Sequence, residues 1–123
     1  MRVLCVSLTV ALAITTVACS KSPDTVAKDA RQAAASWGAT LSAATEWWGS
    51  AEVSTSYFET VVTQARTSLQ KEEQTARTSA GDAAAAPVKA VASRAAAIAA
   101  AVKRGDRAAA IEAAHAARSE ASR

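Results

Sequence analysis

Alanine limits what this chain can build. From Cys19 to Arg123 it supplies 32 of 105 residues, while Val, Leu, Ile and Phe together supply only 12. So few large apolar side chains fall below the level at which composition begins to favour disorder. Disorder also calls for high net charge or abundant Pro and Gly, and neither is present. Alanine has the best helix propensity of all residues. The composition therefore points to a strongly helical chain with a thin core, marginal in stability by itself.

The spacing of the apolar residues agrees. No stretch alternates at period two, so no strand is predicted. Ser22-Pro23-Asp24 reads as a helix start: a capping serine, a proline suited to the first turn and an acid at the positive end of the dipole. Val26, Ala30, Ala33, Trp37, Leu41, Ala44 and Trp48 then follow in steps of three and four. Gly49-Ser50 is the expected stop, with Ser50 capping a second helix from about Ala51 to Thr78. Val53, Tyr57, Phe58, Val61, Val62, Ala65, Leu69 and Ala76 form its apolar face, and its polar half from Gln70 to Ser79 is expected to project beyond the core. Ala80-Gly81-Asp82 breaks the run. A third helix is clearest from Pro87, with Val88, Val91, Ala95, Ile98 and Val102 as its seam. Gly105 is its predicted left-handed terminator and Asp106 the next cap. The last helix, Arg107 to Ser119, is expected to turn Ala108, Ile111, Ala114 and His115 inward. Short connections imply antiparallel neighbours. The expected fold is all-α: an antiparallel up-and-down bundle of three to four helices over residues 24–123, following an N-terminal signal helix.

That signal occupies residues 1–18. Met1-Arg2 is a short basic start, and Val3 to Val17 is an uncharged apolar run. It falls short of the ~20 residues a membrane-spanning helix needs. A basic start, an apolar stretch of this size and small residues at its end describe a secretory signal peptide. The run closes on Thr16-Val17-Ala18-Cys19. This resembles the lipobox of bacterial lipoproteins. In that family the cysteine thiol carries diacylglycerol, a dedicated peptidase cuts before the cysteine, and the new amine is often acylated. The resemblance implies cleavage after Ala18 and lipidation at Cys19, with residues 19–23 as a short tether. Ser20 resembles the class sorted to the outer membrane of Gram-negative bacteria.

Thr16-Val17-Ala18 also reads as a site for ordinary signal peptidase, which would release a protein with a free thiol. Cysteine usage favours the lipid. Cys5 leaves with the signal, so Cys19 has no partner for an internal disulfide, and an unpaired thiol in an oxidising compartment wants a reason. Several acyl chains, each stabilised by ~0.8 kcal/mol per buried methylene, would hold the protein to a membrane.

Without Arg2 the chain carries 13 basic and 11 acidic side chains, a net charge of +2. That is no footprint for nucleic acid. Residues 83–123 hold seven of the basic groups and three of the acidic ones. The bland account of this excess is a solvated helix face; an anionic headgroup, wall polymer or acidic partner is the alternative.

Catalytic chemistry finds few residues to use. The four glycines are scattered and form no phosphate loop. No G-x-S-x-G occurs, and His115 is the single histidine available as a base. The single methionine, Met1, leaves with the signal and no C-x-x-C-H is present, which excludes covalent or Met/His haem. No enzyme activity and no cofactor are expected. Glu112 and His115 share a helix face in the Glu-x-x-His spacing of half a di-iron site, but a full site needs a second such pair and two more carboxylates. Glu46, Glu59 and Glu72 are the carboxylates to consider. Glu112 and His115 are thus weak metal candidates.

Trp47 and Tyr57 are the candidate partner surface, because both residue types are enriched at interaction hot spots. Trp37 and Trp48 lie on the inward stripe, with Trp48, Val53 and Phe58 expected to meet at the first hairpin. The leading expectation is an envelope lipoprotein, held by lipid on Cys19 and outer-membrane-bound facing the periplasm in a Gram-negative host. It would act as a helical interaction or structural module, through a protein partner or self-association. The alternative is a periplasmic ligand- or metal-binding protein with a stress-sensing role.

Overall fold

The computed structural model describes residues 21–123. The signal peptide, its cleavage position Ala18 and the lipidation candidate Cys19 lie outside the described residues. Four helices follow one another: α1 (Pro23–Gly49), α2 (Thr55–Ala80), α3 (Asp82–Lys103) and α4 (Arg107–Ala121). Among the described residues there is no strand.

Every pair of helices is in contact except α2 and α4. α1 and α3 therefore each touch all three of the others, and the core follows their shared line. Leu41, Phe58, Leu69, Val88, Val91 and Ile98 are its fully buried large side chains. Burying each contributes about 1.5–3 kcal/mol. Alanines fill most of the remaining interior, so cohesion depends on close approach of the backbones. α3 is long and apolar enough to cross a membrane by length and composition, with a mean hydropathy of 1.4. Its buried residues Val88, Val91, Ala95, Ile98 and Ala101 belong to the common core.

The helix starts show how local chemistry sets the boundaries. Ser22 Oγ accepts from the Thr25 N–H at 3.2 Å, with Pro23 in the first turn and Asp24 behind it. At the other end α1 stops at Gly49-Ser50, as the sequence predicts, but by a different device. Gly49 stays helical, and Ala51 takes the left-handed conformation at φ 60°. The Glu52 N–H donates to the Trp47 carbonyl at 2.8 Å and the Ala51 N–H to the Trp48 carbonyl at 3.1 Å, the bond pair of a Schellman motif. Ser50 closes α1 rather than opening α2: its Oγ donates back to the Glu46 carbonyl. The cap of α2 is Ser54, whose Oγ accepts from the Tyr57 N–H at 3.1 Å.

Gly81 alone, at φ 91°, joins α2 to α3. Arg77 braces this corner, reaching Glu73 at 2.6 Å and Asp82 at 3.2 Å. α3 begins at Asp82, five residues before Pro87. The proline forgoes one backbone bond, to Ala83, whose exposed position leaves that carbonyl to water. Gly105 is left-handed at φ 72°, and Asp106 Oδ1 accepts from the Ala109 N–H at 3.0 Å, as the sequence predicts.

The buried faces differ in phase from the expected ones at three places. On α1, Ala34 and Gly38 are buried where Ala33 and Trp37 were expected, and those two are half-buried. On α4, Ala110, Ala113, Ala114 and Ala117 are buried, while Ala108 and His115 are exposed and Ile111 is half-buried. A helix with one large apolar residue has little to fix its rotation beyond close fit to its neighbour. On α2, Tyr57 faces outward, and the polar half packs: Ala76 is buried and Glu72 and Glu73 are half-buried.

Candidate functional site

Trp47 and Trp48 are neighbours in sequence, and the helical turn of ~100° per residue separates their destinations. Trp48 goes inward. Its ring stacks on Phe58 with centroids 4.8 Å apart and planes 8° from parallel. Its Nε1 donates to Thr55 Oγ1 at 3.1 Å. The Arg107 guanidinium lies 5.0 Å from the ring centroid and also donates to the Gly49 carbonyl at 3.3 Å, at the negative end of the α1 dipole. Trp48 thus ties α1, α2 and α4 together at one end of the bundle. The expected meeting of Trp48 with Phe58 is observed, with Val53 half-buried against the same core.

Trp47 goes outward, 49% exposed, and Tyr57 is 52% exposed. Both line one groove of about 300 Å³ between α1 and α2, completed by Ala39, Thr40, Ala43, Ala44 and Val61. The structure therefore brings together the two residues singled out as a partner surface. The lining offers two aromatic rings, an alanine and valine floor, and the hydroxyls of Thr40 and Tyr57. It holds no charged residue. Other grooves do: Glu59 and Lys103 in one, Lys21, Asp29 and Glu72 in a second, Arg66, Glu73 and Lys89 in a third.

Glu112 and His115 are both exposed and turn to different neighbours. His115 lines a groove with Glu46, Ser42, Thr45 and Ile111. The Glu112 charge acts on Arg94, whose guanidinium is raised above its usual range first by its hydrogen bond and ion pair with Glu120 and then by Glu112. Arg94 reaches Glu120 Oε1 through two nitrogens, at 2.9 and 3.2 Å. Glu59 and Glu72 lie in the separate grooves already described. Among the described residues no three His, Cys, Asp or Glu side chains converge as a metal site.

Sequence reasoning missed the seam between α1 and α4. A Cβ built on Gly38 would lie 2.7 Å from the Ala121 Cβ and 3.0 Å from the Ala117 carbonyl oxygen. Ser42 and Thr45, both buried, continue this side of α1. Thr45 satisfies its hydroxyl on the Leu41 carbonyl at 2.6 Å. The available signal was Gly38 itself, because a glycine inside a helix costs about 1 kcal/mol against alanine and so needs a packing reason.

Comparison with protein-family models, with curated proteins and with solved structures finds no match for the chain.

Proposed function

We propose that this protein is a lipid-anchored envelope lipoprotein whose helical bundle presents the Trp47–Tyr57 groove to a protein partner and performs no catalysis. The observation that carries the reading is the convergence of two half-exposed aromatic residues on one uncharged groove. Large exposed aromatics cost solvation unless a partner covers them, and they dominate interface energetics when it does. The membrane attachment rests on Thr16-Val17-Ala18-Cys19.

In this reading the helices run up and down, each antiparallel to the next. Trp48 near the end of α1 stacks on Phe58 near the start of α2. Val26 and Ala76 line one groove, linking the opposite ends of the same two helices. Arg107 reaches Gly49, and Arg94 reaches Glu120. The 27 residues of α1 span ~40 Å at 1.5 Å each. An upright bundle then holds Trp47 far above the lipid, displayed towards the periplasm in a Gram-negative host.

Intact-mass analysis of the protein from its host tests the anchor. Diacylglycerol on Cys19 is the expected result, and a plain thiol or a retained leader overturns it. Co-purification from membranes, wild type against Trp47→Ala, tests the surface: a companion protein, or a differently tagged copy of the chain, lost with the ring supports it, and recovery of both unchanged overturns it.

A periplasmic metal- or ligand-binding role is the second reading, favoured by His115 and Glu46 lining one groove. Titration with Zn, Cu, Ni or Fe, followed by thermal melting, tests it. A melting point unmoved by all four overturns the metal form.

A further inference from the structure

We infer that the Trp47–Tyr57 groove is the interface for a second copy of this chain, anchored in the same membrane leaflet. The inference rests on the anchored reading above. Two parallel stripes frame the groove. Ser36, Thr40, Ala43 and Trp47 step by four, three and four along α1. Tyr57, Val61, Gln64 and Ser68 take the same steps along α2. All eight are uncharged at neutral pH and all are exposed or half-buried. The face they form is ~17 Å long. Asp29 and Glu72, with Lys21 held to Asp29 at 2.9 Å, stand beyond it toward the tether.

Symmetry explains why such a face should be charge-free. Two copies fixed by their N-termini to one leaflet are related by a twofold axis along the membrane normal. Each level of the bundle then meets the same level of its partner. A charged side chain near the axis would face its own duplicate and repel it. In a chain in which 20% of residues are charged, a neutral face over these levels meets that requirement. It also sets the aromatic pair of one copy against that of the other. The 4-3-4 steps are those by which helices interdigitate.

The size of the face explains the dependence on the membrane. Two helices ~10 Å wide along ~17 Å offer roughly 350 Å², below the ~800 Å² per partner of an ordinary stable complex. Confinement to one surface raises the effective concentration and makes up the difference.

The test uses the full-length chain in host membranes with Thr40→Cys, where the lipidated protein has this cysteine as its one free thiol. Ala97→Cys, exposed on α3, is the control. Under mild oxidation Thr40→Cys is expected to double in mass on a non-reducing gel while Ala97→Cys does not. Adding Trp47→Ala is expected to lower the dimer about tenfold. Membrane-bound chain with no Thr40→Cys dimer, equal dimer from both sites, or a disulfide from Thr40→Cys to a different protein overturns the inference and leaves the anchor standing. Recovery of the wild-type chain in the soluble fraction overturns the anchor, and the same-leaflet dimer with it.

Discussion

At the scale of single residues, two comparisons separate packed side chains from exposed ones. Gly38→Ala sets two effects against each other. Alanine gains about 1 kcal/mol of helix propensity. Its methyl group, at 2.7 Å from the Ala121 Cβ and 3.0 Å from the Ala117 carbonyl oxygen, overfills the seam, which typically costs about 1–3 kcal/mol. The carbonyl belongs to backbone and gives little, so overfilling wins. A net loss of about 1 kcal/mol, and a melting point lower by about 4–8 °C, is expected in a domain of this size. Ala121→Gly in the same chain is expected to restore part of it; full additivity of the two changes would count against the contact. The tryptophans make the second comparison. Trp48→Ala removes the Phe58 stack, the Thr55 bond and the Arg107 contact, and about 3–5 kcal/mol of stability with them. Trp47→Ala removes a half-exposed ring, and a loss of no more than about 1 kcal/mol is expected. Denaturant melts of both variants check the split, and equal losses would put Trp47 in the core.

At the scale of helices, the termini were legible wherever a side chain marks them. Ser22, Gly105 and Asp106 act as their types predict. α1 ends at Gly49-Ser50 as expected, but the device that ends it was not legible, because the left-handed position falls on Ala51, a residue that seldom adopts it. Gly49, two residues earlier, carried the expected signal without the role. Ala51→Gly is therefore expected to stabilise the bundle by about 1 kcal/mol by relieving that backbone position. A lower melting point would mean that the Ala51 methyl group makes a contact that outweighs the strain. The face of α3 was the most legible. Val88, Val91, Ala95 and Ile98 are buried as α3 predicts. On α4, alanines at nearly every register left the rotation to be set by the fit against α1, which a single helix cannot show. The groove was legible in part. Trp47 stood out because it falls one position off the inward stripe, whereas its meeting with Tyr57 depends on how α1 and α2 pack.

At the scale of the whole molecule, stability is unevenly distributed. α3 buries Val88, Val91 and Ile98, while every residue fully buried on α4 is an alanine. Alanine brings a single methyl group out of water, against the three or four apolar carbons of Val or Ile, and the transfer free energy follows that area. α4 gains from the Arg107–Trp48 contact at one end and the Arg94–Glu120 pair at the other. The Arg94 guanidinium and the Glu120 side chain both retain solvent contact, so that pair adds little. α4 should open first. Hydrogen exchange under native conditions is expected to find central α4 amides protected by a smaller opening free energy than central α3 amides. Equal protection of the two would mean that the bundle opens as a single unit. α4 does not touch α2, and the Trp47–Tyr57 groove lies between α1 and α2, which pack directly on each other; loosening α4 is therefore expected to leave that pairing in place. Of the two helices that wall the groove, α4 packs against α1 alone. For that reason variants that unfasten α4, such as Gly38→Ala, are expected to lower stability without weakening the contacts proposed for Trp47.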